Sequence, residues 1–257
     1  MLSSPTAIPA FRDNYIWAIS RGDACVVVDP GDATPVEEFL AQHALALTAI
    51  VITHHHPDHV GGIATLTANR DIPVYGPARE SIPGMTHPLR HNDCITPAGL
   101  DIALSVMEVP GHTLGHIAFY CADQHWLFCG DTLFAGGCGR LFEGTPSQMH
   151  DSLQTLAELP GETLVYCAHE YTQANLDFAL AVTPDDLRLQ ARHSAVKQAR
   201  QLGEITLPST LAEETRTNPF LRASDPAVKA ACEAREPGAR ESDTQTFATL
   251  RRWKDNF

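Results

Sequence analysis

An apolar run, Ala49-Ile50-Val51-Ile52, leads straight into Thr53-His54-His55-His56-Pro57-Asp58-His59. A short unbroken apolar run before such a polar stretch has the composition of a buried strand. After the motif come Val60, Gly61 and Gly62, and then the spacing of a helix. Ligand-capable side chains are thus concentrated on a tight loop that leaves a strand. Imidazole suits zinc, iron and copper, and a carboxylate adds affinity for hard divalent ions. His54 and His56, two apart in extended backbone, can point the same way. Asp58 and His59 follow a proline that stiffens the turn, which lets them face a second ion beside the first. One histidine alone is usually a surface or core residue. The unit H-x-H-x-D-H between a strand and a helix carries more information than its parts.

Three further positions repeat this pattern. A strand predicted over residues 100–109 ends at Pro110-Gly111-His112-Thr113. A hairpin of Ile117–Cys121 and Trp126–Cys129 ends at Gly130-Asp131-Thr132. A strand over 163–167 ends near His169. His112, Asp131 and His169 therefore each sit at a strand end, where layered sheet folds build their sites. With His54, His56, Asp58 and His59 they make five histidines and two aspartates. That is too many for one tetrahedral ion and the right number for two ions sharing a carboxylate. Asp29, at the break Asp29-Pro30-Gly31 after the strand Ala24–Val28, is either a plain turn residue or a group that orients a ligand imidazole.

To about residue 170 the order is strands and then a helix, twice over. The first half runs from strands at 14–20 and 24–28 to a helix at 35–43. The second half ends in a helix that Thr145 caps, with Pro146 at its first position. This order suits two mixed sheets packed face to face with helices outside, rather than a doubly wound parallel sheet. Beyond Tyr171 the pattern is helical. Thr183-Pro184 is expected to start a second helix that Gly203 ends, Asp225-Pro226 to start another, and Ser242 to cap the last. The expected organisation is a sheet domain over 1–171 and a smaller helical domain over 172–257.

The chain's net charge of −13 argues against nucleic acid as the main partner, since phosphate binding relies on clustered Lys and Arg. No apolar run approaches the ~18 residues of a membrane span, and the N-terminus lacks the basic and apolar regions of a secretory signal. Seven cysteines, none in a C-x-x-C pair, read as reduced thiols in a cytoplasmic protein. Cys138 and Cys167 read as small buried apolar residues. With no heptads in view, a monomer is expected.

The segments T-H-H-H-P-D-H, P-G-H-T-L-G-H, G-D-T-L-F and C-A-H-E-Y-T resemble the metallo-β-lactamase superfamily. Within it, I-P-A-F-R-D-N-Y-I-W, G-G-C-G-R-L-F-E-G-T, T-N-P-F-L-R and the terminal R-R-W-K-D resemble the glyoxalase II, or hydroxyacylglutathione hydrolase, family. The resemblance implies an α+β fold: a four-layer αββα metallo-β-lactamase sandwich followed by a smaller all-helical domain. It implies that His54, His56 and His112 bind one metal, that Asp58, His59 and His169 bind a second, and that Asp131 bridges them. The implied cofactors are two divalent ions, zinc first, with iron or manganese also suited to the donors. The implied reaction is hydrolysis of S-D-lactoylglutathione, a small-molecule glutathione thioester, to D-lactate and glutathione. A hydroxide between the ions attacks the carbonyl, and Asp58 and Asp131 are the carboxylates of that catalytic centre.

By the same resemblance Arg140, Phe142, Tyr171, Arg251 and Lys254 contact glutathione. Arg251 and Lys254 are three apart on an expected helix, hence on one face. Some family members carry Lys at the position of Arg140 and Tyr at that of Phe142, so altered affinity is expected here. His55 is expected to point away from its neighbours and His116 to support the loop around His112. Three other readings compete: a one-iron glutathione persulfide dioxygenase, a β-lactamase or lactonase, and a non-catalytic metal-binding protein. The helical tail with Arg251 and Lys254 favours the hydrolase. The lack of an export signal disfavours the β-lactamase, and the filled ligand set disfavours the non-catalytic protein.

Overall fold

The computed structural model describes residues 2–257. The chain groups into two compact units. One is the chain up to Glu108 together with Gly115–Gly130. The other is Val109–Leu114 together with Asp131–Phe257. This grouping by contact is a different partition from the 1–171 and 172–257 division of sequence character.

In the first unit, β1 (Thr6–Ala10), β2 (Asn14–Arg21) and β3 (Ala24–Val28) pair antiparallel. Gly22 turns the chain between β2 and β3 at φ 62°, a left-handed conformation that costs a residue without Cβ little. The next helix, α1 (Ala33–His43), begins where the Asp32 carboxylate accepts Thr34 N–H. It carries the chain over so that β4 (Ala46–Val51) lies parallel to β3, as a parallel pair requires. The register slips at Thr48, whose hydroxyl donates to the carbonyls of Cys25 and Ala98 instead. Two short helices follow, α2 (Pro57–Val60) and α3 (Ile63–Thr67), and then the parallel strands β5 (Val74–Pro77) and β6 (His87–Leu89). The sheet order is β1-β2-β3-β4-β5-β6.

Both faces of this sheet are covered. Cys25, Val27, Ile50 and Ile52 pack with Val36, Leu40, Ile63 and Leu66 of the helices. Val26, Val28, Ala49 and Val51, on the opposite face, are buried as well. That is why β3 and β4 read as unbroken apolar runs rather than as alternating ones. The same unit holds β7 (Cys94–Ile95), β8 (Leu104–Glu108), β9 (Ile117–Cys121) and β10 (Trp126–Gly130), antiparallel in that order. The expected strand over 100–109 starts only at Leu104, because Asp101 turns left-handed at φ 52°.

The second unit opens with the small hairpin β11 (Leu133–Phe134) and β12 (Gly137–Cys138). The helix α4 (Pro146–Ala157) begins in a capping box of Thr145 and Gln148. The strand β13 (Leu164–Cys167) pairs with β14 (Ser209–Thr210). The remaining helices are α5 (Thr172–Val182), α6 (Leu187–Gln201), α7 (Leu211–Thr217), α8 (Pro226–Arg235) and α9 (Asp243–Asp255). Asp225 and Ser242 cap α8 and α9 as the sequence implies. Thr183-Pro184 does not start α6. The Asp186 carboxylate, accepting Arg188 and Leu189 N–H, supplies the stronger cap and sets the start at Leu187. Among the described residues no helix is long and apolar enough to cross a membrane.

Candidate metal centre

In the first unit, the loop after β4 is shaped by the turn after β3. Asp29 sits at φ 54°, buried, with its backbone N–H on Val51 O at 2.9 Å. Its carboxylate takes three hydrogen bonds. Thr53 N–H donates to Oδ1 at 2.7 Å, Thr53 Oγ1 donates to Oδ2 at 2.7 Å, and His59 Nδ1 lies 3.0 Å from Oδ2. A carboxylate can only accept, so the proton of His59 sits on Nδ1 and its Nε2 carries the lone pair. The Thr53 hydroxyl hydrogen is already donated in the bond to Asp29, so Oγ1 accepts from His54 Nδ1 at 3.1 Å. One aspartate therefore orients two imidazoles, the first directly and the second through a hydroxyl. The turn also approaches Asp58 so closely that a Cβ on Gly31 would lie 1.8 Å from Asp58 O.

The other groups of this unit follow. His54 Nε2 and His56 Nδ1 converge to 3.1 Å. Asp58 Oδ2 accepts from Asn14 Nδ2 at 3.0 Å and lies 3.6 Å from His59 Nε2. His55 turns away, as expected, to Glu80 at 3.0 Å. His116 stacks on His54, with ring centroids 4.6 Å apart and planes 19° apart.

In the second unit, His112 Nδ1 donates to Arg140 O at 2.8 Å, which directs Nε2 at Asp131 Oδ2, 3.4 Å away. His169 Nε2 lies 3.4 Å from the other oxygen, Asp131 Oδ1. A single buried carboxylate thus turns one oxygen to each of two imidazoles. Gly139 permits this, since a Cβ there would lie 1.9 Å from Asp131 O.

A cavity of about 450 Å³ opens beside His112 and Asp131 within this unit. Its wall includes all five residues expected to contact substrate: Arg140, Phe142, Tyr171, Arg251 and Lys254. Tyr171 stacks on His169 at 4.7 Å, and Phe142 meets His112 edge-on at 5.3 Å. Phe134 is set edge-on to His169 and to Tyr171. Arg251 is buried, with Nη1 on Cys138 O at 2.9 Å and Nη2 on Asp255 Oδ1 at 2.9 Å. Lys254 Nζ donates to Ala174 O at 2.9 Å. Burial, and then the neighbouring Arg251 charge, push its pKa down to about 8. Cys138 and Cys167 are buried thiols, pushed up to about 11 and about 12 by desolvation.

Three groups escaped sequence reasoning. Asn14 lies in the quoted N-terminal segment, but nothing there linked it to Asp58. Thr53 was visible only as the first letter of the motif. The carbonyl of Arg140 has no sequence signal, because every residue carries one.

Residues 10–93 and 96–169 match the metallo-beta-lactamase superfamily, and residues 170–257 match the hydroxyacylglutathione hydrolase C-terminus. A hydroxyacylglutathione hydrolase from Cupriavidus taiwanensis is 56% identical over 261 residues, covering 97% of this chain and 97% of its own. This chain belongs to the hydroxyacylglutathione hydrolase family. A second member, from Nitrosomonas europaea, is 53% identical and covers 97% of this chain and 95% of its own. The fold is that of the metallo-β-lactamase superfamily, with mixed sheets, helices and a C-terminal helical region. ETHE1 from Myxococcus xanthus shares that fold at a TM-score of 0.64 and 23% identity, over 95% of this chain and 91% of its own. TTHA1623 in a di-iron-bound form is 28% identical at a TM-score of 0.58, over 85% of this chain and 100% of its own.

Proposed function

We propose that this chain is a metal-dependent thioester hydrolase that converts S-D-lactoylglutathione and water to D-lactate and glutathione. The observation that carries the reading is the Asp131 carboxylate, with one oxygen toward His112 and the other toward His169, in a chain that belongs to the hydroxyacylglutathione hydrolases. The donor chemistry fits divalent ions: imidazoles with their tautomers set by Asp29, Thr53 and Arg140 O, and carboxylates in place of thiolates.

His54, His56 and His112 would hold one ion, Asp58, His59 and His169 a second, with Asp131 between them. Zinc is the first expectation, and the same donors suit iron or manganese. Such ions, when bound, lower the pKa of water and polarise a carbonyl. The rest falls to the chain's own residues. Arg140 and Lys254 would meet the carboxylates of glutathione, and the Tyr171 hydroxyl would donate a hydrogen bond to it. Arg251 supplies positive charge from a fixed position, held by Cys138 O and Asp255. Phe134 and Phe142 would keep water off the flank of the reacting carbonyl. The carbon–sulfur bond breaks to release a thiolate, a good leaving group, so no strong general acid is called for.

Two functional domains, 1–171 and 172–257, belong to this reading, and the family matches that meet at residues 169 and 170 support it. A cytoplasmic monomer acting on a small molecule, with no nucleic acid and no membrane, completes it. The test is hydrolysis of S-D-lactoylglutathione by the purified protein, with metal content measured on the same sample. Turnover that is lost on chelation and restored by divalent metal is the expected result. Fully metal-loaded protein without turnover would refute the reading.

A further inference from the structure

A buried ionic cluster in the second unit has no part in the chemistry above. Glu214 is fully buried, and Arg192 nearly so. Glu214 Oε1 accepts a short hydrogen bond from Arg192 Nη2, and Arg192 Nη1 donates to Thr217 Oγ1 at 2.6 Å. The other oxygen, Oε2, accepts Gly136 N–H at 2.8 Å and Asn218 Nδ2 at 3.1 Å. Asn218 Nδ2 also reaches Gly137 O at 2.9 Å and Phe134 O at 3.2 Å. Apart from the Arg192–Thr217 bond, which steadies the guanidinium, each of these bonds ends on the hairpin β11–β12 or on Glu214, which holds it. Gly136, at the tip, stands at φ 70°, and a Cβ there would lie 2.8 Å from Leu176 Cδ2. The hairpin is clamped on both sides.

That hairpin builds the cavity wall. Phe134 is set against His169 and Tyr171, and Cys138 O anchors Arg251. The chain then returns to Asp131, with Gly139 N–H on Thr132 O at 3.1 Å. A buried ion pair is a poor source of stability against apolar groups of equal volume, but removing one partner leaves an uncompensated charge. What such a cluster does supply is a fixed geometry. We propose that Glu214, locked by Arg192, is a positioning residue: it fixes the hairpin Leu133–Cys138 and so sets the wall against which glutathione binds. The proposal rests on the glutathione thioester reading for the identity of the ligand, and not for the clamp itself.

Glu214→Gln is the decisive variant. A glutamine keeps one acceptor but turns an NH2 toward donors on the other side, so half of the clamp is lost. The expected result is a KM for S-D-lactoylglutathione and a Kd for glutathione raised about tenfold, a loss of ~1.4 kcal/mol. Metal content and kcat should stay near those of the wild type. Amide exchange across 133–138 should quicken. A purely structural role would lower the folded fraction and leave the KM of the folded enzyme unchanged. Wild-type affinity together with wild-type exchange at 133–138 overturns the proposal. Should Glu214→Gln not fold, Asn218→Ser, which removes the bonds to Phe134 O and Gly137 O, is judged by the same two readouts. The wild-type protein decides independently, since a Gly136 amide exchanging at the unprotected rate also overturns the clamp. Exchange needs no turnover, so a wild-type protein that hydrolyses no thioester would sink the function and leave the clamp to be judged on exchange.

Discussion

Asp29→Asn tests how the histidine loop is held. Asparagine tolerates the φ of 54° that Asp29 adopts, so backbone strain does not confuse the result as alanine would. It also keeps an acceptor for Thr53 N–H. What changes is Oδ2, which accepts from both Thr53 Oγ1 and His59 Nδ1. An NH2 in its place faces two donors. Each charge-assisted bond is worth about 1.5–3 kcal/mol, so two bonds bound the loss at about 3–6 kcal/mol. Rotation of the Thr53 hydroxyl and a tautomer switch in His59 recover part of this, which leaves roughly 2–4 kcal/mol. Urea unfolding of the metal-stripped variant reads that number. The tautomer switch moves the proton of His59 to Nε2, away from the geometry a ligand needs, so metal affinity should also fall about 10–100-fold. Competition with a chromogenic chelator measures it. An Asp29→Asn protein within about 0.5 kcal/mol of wild type, with unchanged metal affinity, would refute the reasoning that this one carboxylate sets both imidazoles.

Other outcomes follow from single contacts. Gly139→Ala drives a Cβ against Asp131 O, and overpacking against backbone should cost on the order of 1–3 kcal/mol or more, seen as a lower thermal midpoint and reduced metal content. Lys254, with its pKa lowered to about 8 from 10.5, binds its proton more weakly when folded than when unfolded. The Lys254 contribution to stability should therefore rise with pH between about 8 and 10.5 and be flat below about 8. The difference in urea stability between wild type and Lys254→Met should follow that rise, since Cys138 and Cys167, whose buried thiols are pushed up from 9.0, pull stability down above about 9 in both proteins alike. Cys94 is the exposed thiol among six buried ones, so a thiol reagent should label one cysteine quickly in the native protein and all seven after denaturation.

Much of the fold was legible because local rules and tertiary packing agree. Val26 to Val28 and Ala49 to Ile52 are unbroken apolar runs because their strands are covered on both faces, and their composition says so directly. Thr145, Asp225 and Ser242 announced helix starts because a cap is a local hydrogen bond. Short-range competition defeated the reading elsewhere. Asp186 outbid Thr183-Pro184 for the start of α6, and the left-handed Asp101 shortened β8. The strands β6, β7 and β14 have too few residues to leave a period in the sequence.

The sequence by itself determined the chemistry available: histidines and aspartates at strand ends, seven cysteines, and three lysines of which one lies near the C-terminus. It also determined the family, since the matches run nearly the whole length of the chain. Only the tertiary structure decided how those groups are held. Asp29 read equally well as a turn residue until it was seen with Thr53 on two of its bonds and His59 on the third. Arg251 read as a glutathione contact on one helix face with Lys254, and the structure sets its guanidinium on Cys138 O and Asp255. Glu214 and Arg192 carried no signal at all, because they lie 22 positions apart in the chain and the hairpin partner of Glu214, Gly136, lies 78 positions away. A residue type fixes which bonds a side chain is able to make. Which of them it makes depends on what the fold brings within about 3 Å, and hydrogen bonding at that range does not register in sequence spacing.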